Sequence, residues 1–122
     1  MYQYRLMPSA VQDLQEIADY IAEQLSAPES AIRLLKKVEE AIRSACAFPL
    51  SLPLVNDELL RMKGYRKILV DNYIVFVLPD QKNEALNVMR VLYYARDYFK
   101  DVFVNKKVLQ KGVKKVSTFN TQ

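Results

Sequence analysis

The sequence contains no histidine, and it has one cysteine and two glycines among its 122 residues. Without histidine, Ser-His, Cys-His and histidine-pair chemistry is excluded, because no other unperturbed side chain titrates near neutral pH. The single thiol, Cys46, supports neither a disulfide framework nor a thiolate metal cluster, so we expect a small core residue there and no bound metal. Any catalysis must use Lys, Arg, Tyr or carboxylates, and no cofactor is expected.

Long apolar runs are also missing from the sequence. No stretch reaches the roughly 18 to 20 apolar residues of a membrane span, and the first ten residues lack a basic segment followed by an apolar one. A chain of 122 residues can bury roughly two-thirds of its unfolded surface in one domain. We therefore expect a single-domain cytoplasmic protein that does not bind a membrane.

Charge is distributed unevenly along the chain. Residues 104–122 hold five Lys and no acid, so the first 103 residues hold 13 basic and 14 acidic side chains. Acids cluster early, between Asp13 and Glu29, whereas four cations without an intervening acid lie between Arg61 and Lys67. This separation predicts a positive face that can attract nucleic acid or an acidic partner. We expect residues 104–122 to be a flexible basic tail.

Hydrophobic spacing in the first half predicts one strand and two helices. Residues 2–7 alternate as a half-buried strand does, and a Ser9–Gln12 capping box predicts a helix over about 10–25. Ser26 as cap, with Pro28 in the first turn, predicts a second helix. The predicted apolar stripe of the first helix is Val11, Leu14, Ala18, Ile21 and Leu25, with the acids on its outer face. The predicted stripe of the second helix is Ile32, Leu35, Val38, Ile42 and Ala45.

The second half predicts a three-stranded meander. Proline-containing residues 49–60 indicate a loop, and the β-branched and aromatic segments 65–70, 73–78 and 86–93 indicate strands. Asp71–Asn72 suits a tight two-residue turn. Residues 95–103 predict a short amphipathic helix with Tyr98, Phe99, Val102 and Phe103 toward the core. The expected fold class is α+β: a helical hairpin packed on a small antiparallel sheet, in the order β-α-α-β-β-β with a short C-terminal helix.

Four segments in this order resemble the RelE/ParE superfamily of bacterial type II toxins over residues 2–103. They are SAVQDLQEIADYIAE, AFP, GYRKILVDNYIVFVL and VMRVLYYARDYF. The resemblance implies a growth-arresting toxin of the plasmid stabilisation type. It also implies a cognate antitoxin that wraps over the toxin in a hetero-oligomer. Because superfamily members act either on DNA gyrase or on messenger RNA at the ribosome, the fold alone does not choose the target.

Comparison with each branch of the superfamily favours gyrase. In a RelE-type nuclease, the resemblance implies that Arg66, Lys67, Arg96 and Tyr98 would surround the messenger as the catalytic residues. The chain departs from that pattern at Ile74, where such nucleases carry an arginine. A nuclease without histidine depends on clustered cations to stabilise the phosphate, so this loss weakens the site. The segments AFP and RVLYYARDYF are also closer to the ParE type.

We therefore predict ParE-type inhibition of DNA gyrase, which is not an enzymatic activity. The alternative is an enzyme, a ribosome-dependent mRNA endoribonuclease, and a second alternative is an inactive module that still binds its antitoxin. The candidate residues also have structural interpretations. Arg66 and Lys67 are consecutive on a strand, so only one of them can face a given site. The methylene stem of Arg90 can cross apolar surface while its guanidinium pairs with an acid. Arg96 can set the turn after the last strand, and Tyr98 can simply pack.

Overall fold

The computed structural model describes residues 1–93, which form four strands and three α-helices. The strands are β1 Gln3–Leu6, β2 Arg66–Val70, β3 Tyr73–Asp80 and β4 Ala85–Tyr93. The helices are α1 Pro8–Asp19, α2 Pro28–Ala45 and α3 Glu58–Met62. A π-helical segment, Tyr20–Gln24, follows α1, and a 3-10 turn, Pro49–Ser51, follows α2. The helix predicted at 95–103 and the tail 104–122 lie outside the described residues, as do Arg96 and Tyr98.

The strands form one sheet in the order β1-β4-β3-β2. The pairs β2–β3 and β3–β4 are antiparallel, as the predicted meander requires, and β1 runs parallel to β4. Val70 pairs with Tyr73, and Asp71 adopts a left-handed φ of 53°, which confirms the two-residue turn. The α+β class and the order of the main elements are confirmed, whereas the sheet is mixed rather than wholly antiparallel because β1 is parallel to its neighbour. A parallel pair of strands needs a long crossover connection, and the helical hairpin between β1 and the meander provides it.

One face of the sheet packs against the helical hairpin to form the main core. Its buried residues include Val38, Ile42, Ile68, Val75, Val77, Leu86, Val88 and Val91, together with Cys46, whose predicted core position is confirmed. The buried stripe of α2 is Ala31, Leu34, Val38 and Ile42. The predicted phase of this stripe is therefore wrong at its start, since Ile32 is 63% exposed. Both phases satisfy the 3.6-residue period, and packing against α1 and the sheet selects the one that begins with alanine.

Both predicted serine caps are wrong. α1 begins at Pro8 with Met7 at the N-cap, and Ser9 is buried inside the first turn. α2 begins at Pro28 with Ala27 at the N-cap, while Ser26 takes a left-handed φ of 50° in the connection from the π-helical segment. In each case proline occupies the first helical position, where its missing N–H costs nothing.

The region predicted as the loop 49–60 is an ordered cover for the other face of the sheet. It contains the 3-10 turn, a single β-bridge between Leu54 and Arg66, and α3. It packs a second core onto that face, consisting of Val55, Leu60, Phe76 and Leu92 with Tyr65 and Ile74 beside them. The sheet is therefore covered on both faces, and we call residues 49–65 the covering segment.

Candidate functional site

The covering segment is attached to the outer edge of β2 by hydrogen bonds around Arg66. The Arg66 Nη1 donates to the Leu52 carbonyl at 2.6 Å. The Lys67 N–H donates to the Pro53 carbonyl at 3.0 Å, and the Val55 N–H donates to the Tyr65 carbonyl at 3.0 Å. These bonds occupy backbone groups that an edge strand would otherwise present to solvent. The Arg66 guanidinium thus has a structural role in holding the covering segment.

A shallow depression lies beside the first residues of β2, and we call it the β2 depression. It has a volume of about 570 Å³, and Leu50, Lys63, Arg66, Asp80 and Asn87 contribute to its lining. The Oδ1 of Asn87 is buried and accepts no hydrogen bond within the described part of the chain. The lining of the depression thus combines two cations, Lys63 and Arg66, with the Asp80 carboxylate and the Asn87 amide.

The predicted nuclease residues do not share one surface as far as the structure describes them. Arg66 lines the β2 depression. Lys67 is the next residue on the strand, so its side chain points to the opposite face of the sheet. Arg96 and Tyr98 lie beyond Tyr93, outside the described residues. Tyr93, the last described residue of β4, pairs with Tyr73 on β3, whereas Arg66 pairs with Val77 on β3. Tyr73 and Val77 are four residues apart, so the two pairs lie about 13 Å apart along the sheet.

The central strand is apolar at the position where the nuclease pattern has an arginine. Ile74 lies between Leu69 on β2 and Leu92 on β4. It packs beside the second core, together with the buried Phe76. The only ionisable side chains on β3 are Tyr73 and Asp80, at its two ends. On β3 this face therefore presents packing side chains, and Lys67 lies opposite Phe76 on the neighbouring strand.

A buried ion pair joins α1 to β4. Arg90 donates from Nε to the Asp13 Oδ2 at 2.7 Å and from Nη2 to Oδ1 at 2.9 Å. The Val91 N–H also donates to the Asp13 Oδ2 at 2.9 Å. β1 ends at Leu6, and the Met7 N–H makes its last bond to β4, at the Val88 carbonyl. The Asp13 carboxylate therefore accepts the bond that a longer β1 would have taken.

The prediction that Arg90 pairs with an acid is confirmed, whereas the placement of Asp13 on a solvated outer face is wrong. Burial raises the pKa of the Asp13 carboxyl above its ordinary value, and the hydrogen bonds from Arg90 and from the Val91 N–H limit that rise. A usable signal was present in the sequence. Ala10, Asp13 and Ile17 are spaced three and four residues apart, which places the acid on the core-facing side of α1.

The sequence of residues 4–98 matches the family model described as the ParE toxin of the type II toxin-antitoxin system, parDE. The chain belongs to the ParE toxin family. Its helical hairpin, its meander and the segment that leaves β4 all fall within the matched range. No curated protein matches the sequence.

Two solved structures show the same fold as this ParE family member. One is the chromosomal ParDE TA system from P. aeruginosa, with a TM-score of 0.63, 16% identity, and coverage of 76% of this chain and 96% of that chain. The other is a RelBE toxin-antitoxin complex from Mycobacterium tuberculosis, with a TM-score of 0.53, 19% identity, and coverage of 75% and 96%. At these identities the two likenesses show the fold alone.

Within residues 1–93, no cluster of three or more Cys, Asp or Glu side chains is placed to hold a metal ion. No helix in the same range is long and apolar enough to cross a membrane.

Aromatic side chains gather at the end of the sheet far from Arg66. The rings of Tyr73 and Tyr93 lie with centroids 5.5 Å apart at an angle of 59°. Burial raises the pKa of the Tyr73 hydroxyl, and the neighbouring Tyr93, Tyr20 and Asp71 raise it further. Tyr73 therefore stays protonated at neutral pH and serves as a half-buried packing residue with a hydroxyl donor.

Asp80 lies in the β3–β4 turn at the rim of the β2 depression, and the pKa of its carboxyl can be tested by experiment. Asp80 accepts from the Asn83 Nδ2 at 2.7 Å and from the Asn83 N–H at 3.2 Å, and Arg5 lies 3.4 Å away. These donors, Asn83 first, lower the pKa of the Asp80 carboxyl. A lowered pKa means that the ionised form stabilises the fold above the ordinary aspartate pKa, and that this contribution is lost as the pH falls through the folded value.

We expect Asn83→Ala to raise the pKa of Asp80 toward the ordinary aspartate value, because the substitution removes the side-chain donor. The measurement is an NMR titration of the carboxyl carbon in the wild type and the variant. Gln81→Ala is a matched control in the same turn, and it should leave the pKa of Asp80 unchanged. A wild-type pKa already at the ordinary value would contradict the prediction.

Proposed function

We propose that this ParE family member arrests growth by binding DNA gyrase and that a cognate antitoxin neutralises it in a hetero-oligomeric complex. Family membership supports the toxin assignment. Support for the antitoxin comes from the two related structures, which are described as the ParDE TA system and as a toxin-antitoxin complex. In the proposed mechanism the toxin binds its target as a protein and carries out no hydrolysis.

The observation that favours gyrase over RNA cleavage is the apolar central strand. A nuclease without histidine has to stabilise a pentavalent phosphate and deprotonate a 2′-hydroxyl with clustered cations. In this chain Ile74 and Phe76 belong to the second core or pack beside it, and the Arg66 guanidinium is bonded to the Leu52 carbonyl. The positive charge that such chemistry needs is therefore not concentrated on the middle of the sheet.

A second candidate function follows from the cations beside β2. Lys63 and Arg66 line one depression, and such a pair suits a phosphate of RNA. In this alternative the protein is a ribosome-dependent mRNA endoribonuclease. Its catalytic residues are then Arg66, Lys67, Arg96 and Tyr98.

Pulse labelling after induction of the protein without its antitoxin separates these functions. We expect incorporation of labelled thymidine to stop early while incorporation of labelled amino acids continues, because gyrase inhibition stalls replication first. An early stop in amino acid incorporation would instead support the endoribonuclease. Normal incorporation of both labels would favour an inactive antitoxin-binding module.

Charge-removing variants provide the matching control for the labelling experiment. Lys67→Ala and Arg96→Ala each remove a cation on which the nuclease depends, and Lys67 does not line the β2 depression. Under the gyrase proposal both variants should keep full growth arrest. Loss of arrest in both, with wild-type folding by circular dichroism, would shift the assignment to RNA cleavage.

A further inference from the structure

The tight turn that ends α3 brings two cations to the β2 depression. Lys63 is the C-cap residue of α3, and Gly64 follows it with a positive φ of 93°. The N–H groups of Gly64 and Tyr65 each donate to a carbonyl of the last helical turn at 3.0 Å, in a Schellman motif. This motif fixes the backbone between the helix and β2. Lys63 and Arg66 therefore reach the depression from an ordered backbone.

Neither cation is neutralised by an acid within residues 1–93. The Lys63 ammonium makes no ion pair or hydrogen bond in that range, and the Arg66 guanidinium uses only its Nη1, to bind the covering segment. Asp80 lies at the rim, but its carboxylate accepts from Asn83 at 2.7 Å and lies 3.4 Å from Arg5. The depression therefore offers charged donors to an incoming anion.

Apolar and amide side chains complete the lining of the depression. Leu78 pairs with Asn87 across β3 and β4, so the two side chains lie on the same face of the sheet. Leu50 and Pro79 add apolar surface, and Gln81 adds a second amide. Each amide presents a donor beside an acceptor, whereas the cations only donate. The volume of about 570 Å³ is in the range of sites that hold small molecules.

This combination suits a ligand with an anionic group, a polar edge and an apolar body. Phosphate is an anion that Lys and Arg both bind, through several oxygens. A nucleobase has the other two properties, because its edge pairs with an Asn or Gln amide and its flat faces can lie on apolar side chains. A carboxylate of an acidic peptide matches the cations alone. The lining therefore favours a nucleotide over an acidic peptide.

We infer that the β2 depression binds a nucleoside 5′-phosphate, either as a free nucleotide or as one unit of a single-stranded nucleic acid. Lys63 and Arg66 hold the phosphate, and the base lies on Leu78 with its edge at the amides of Gln81 and Asn87. This site goes beyond the proposed function, because it does not depend on whether the toxin acts on gyrase. Failure of the inference would leave that function untouched.

Titration of the isotope-labelled full chain with adenosine 5′-phosphate (AMP) tests the site by NMR. Adenine is the base with which Asn and Gln amides form paired hydrogen bonds. We expect saturable shifts of the Asn87 side-chain amide and of the Gly64 N–H, since both residues line the depression. Adenosine alone and inorganic phosphate alone should each bind about tenfold more weakly than AMP, because each makes only part of the contacts.

Three substitutions separate the phosphate contact from the base contact. Lys63→Gln should weaken the binding of AMP and of inorganic phosphate alike by about tenfold, the scale of one hydrogen bond to a charged group. Gln81→Ala should weaken AMP binding and leave phosphate binding unchanged. Lys36→Gln, at an exposed lysine of α2 outside the depression, is the control and should bind both ligands as the wild type does. All three side chains are exposed, so thermal unfolding should match the wild type.

A short single-stranded oligonucleotide distinguishes the two sources of the ligand. Tighter binding than that of AMP, weakened by Lys63→Gln, would mean that the site takes one unit of a strand. A Lys63-dependent affinity no tighter than that of AMP would mean that it takes a free nucleotide. Only the part of the affinity that Lys63→Gln removes counts, because the five Lys of residues 104–122 also attract phosphates.

Two results would overturn the site. If AMP leaves the signals of Asn87 and Gly64 unchanged, or if Lys63→Gln binds AMP as tightly as the wild type, the inference is wrong. If a glutamate-rich peptide shifts the same signals and AMP does not, the depression binds an acidic protein segment instead of a nucleotide.

Discussion

Replacing Asp13 with alanine is expected to lower the free energy of unfolding by about 3 to 5 kcal/mol, the range for removing one partner of a buried ion pair. The substitution takes away the carboxylate that binds the Arg90 guanidinium through two hydrogen bonds and also accepts from the Val91 N–H. Both Asp13 and Arg90 are almost fully buried. Water therefore cannot replace the lost bonds unless the packing between α1 and β4 opens.

Two matched variants define what the Asp13 measurement means. Lys37→Ala removes a partner of the exposed pair with Asp71, 3.0 Å apart, and should change stability by less than about 1 kcal/mol. The double variant Asp13→Leu, Arg90→Met replaces the buried charges with apolar groups, and it should be more stable than Asp13→Ala alone. Urea unfolding followed by circular dichroism measures all three. A loss below about 1 kcal/mol for Asp13→Ala would show that the pair is not buried in solution.

Leu60→Ala is expected to cost about 2 to 5 kcal/mol, whereas Leu59→Ala should cost no more than about 0.5 kcal/mol. The two leucines are adjacent on α3, but Leu60 is 7% exposed and packs in the second core, while Leu59 is 64% exposed. Truncating Leu60 leaves a cavity beside Val55 and Phe76, and truncating Leu59 removes a side chain already in water.

Denaturant unfolding of the two leucine variants therefore tests whether the covering segment is bound to the sheet. Equal and small losses in both variants would mean that α3 does not pack on β3 and β4. A large loss in Leu59→Ala alone would mean that α3 is rotated by one residue.

The placement of Arg66 changes the interpretation of its charge. As a residue on the first strand of the meander, it is a candidate for phosphate binding by resemblance to RelE-type nucleases. In the structure its guanidinium bonds to the Leu52 carbonyl and holds the covering segment to the edge of β2. An edge strand covered in this way is protected from pairing with another chain. A change in activity on substituting Arg66 would thus have to be separated from a change in stability.

Local features of the sequence were sufficient to predict the fold. Alternation and β-branched residues identify the strands, Asp71–Asn72 defines the first hairpin, and Pro28 identifies the first turn of the second long helix. Each of these signals acts over a few residues, so it does not depend on how distant parts of the chain pack. The apolar character of β3 and an acidic partner for Arg90 also followed from residue types alone, and the order of segments indicated the ParE family.

Features that depend on distant parts of the chain required the tertiary structure. The spacing of Ala10, Asp13 and Ile17 places Asp13 on the core side of α1, but its partners, Arg90 and the Val91 N–H, become its neighbours only when α1 packs on β4. The phase of α2 and the packing of α3 on the sheet are likewise decided by which neighbours are available. Residues 49–60 have no sustained hydrophobic period, and only the apolar face formed by Phe76 and Leu92 gives Leu60 a surface on which to pack. Burial is a property of the assembled layers, which is why spacing alone did not determine the phase of α2 or the position of α3.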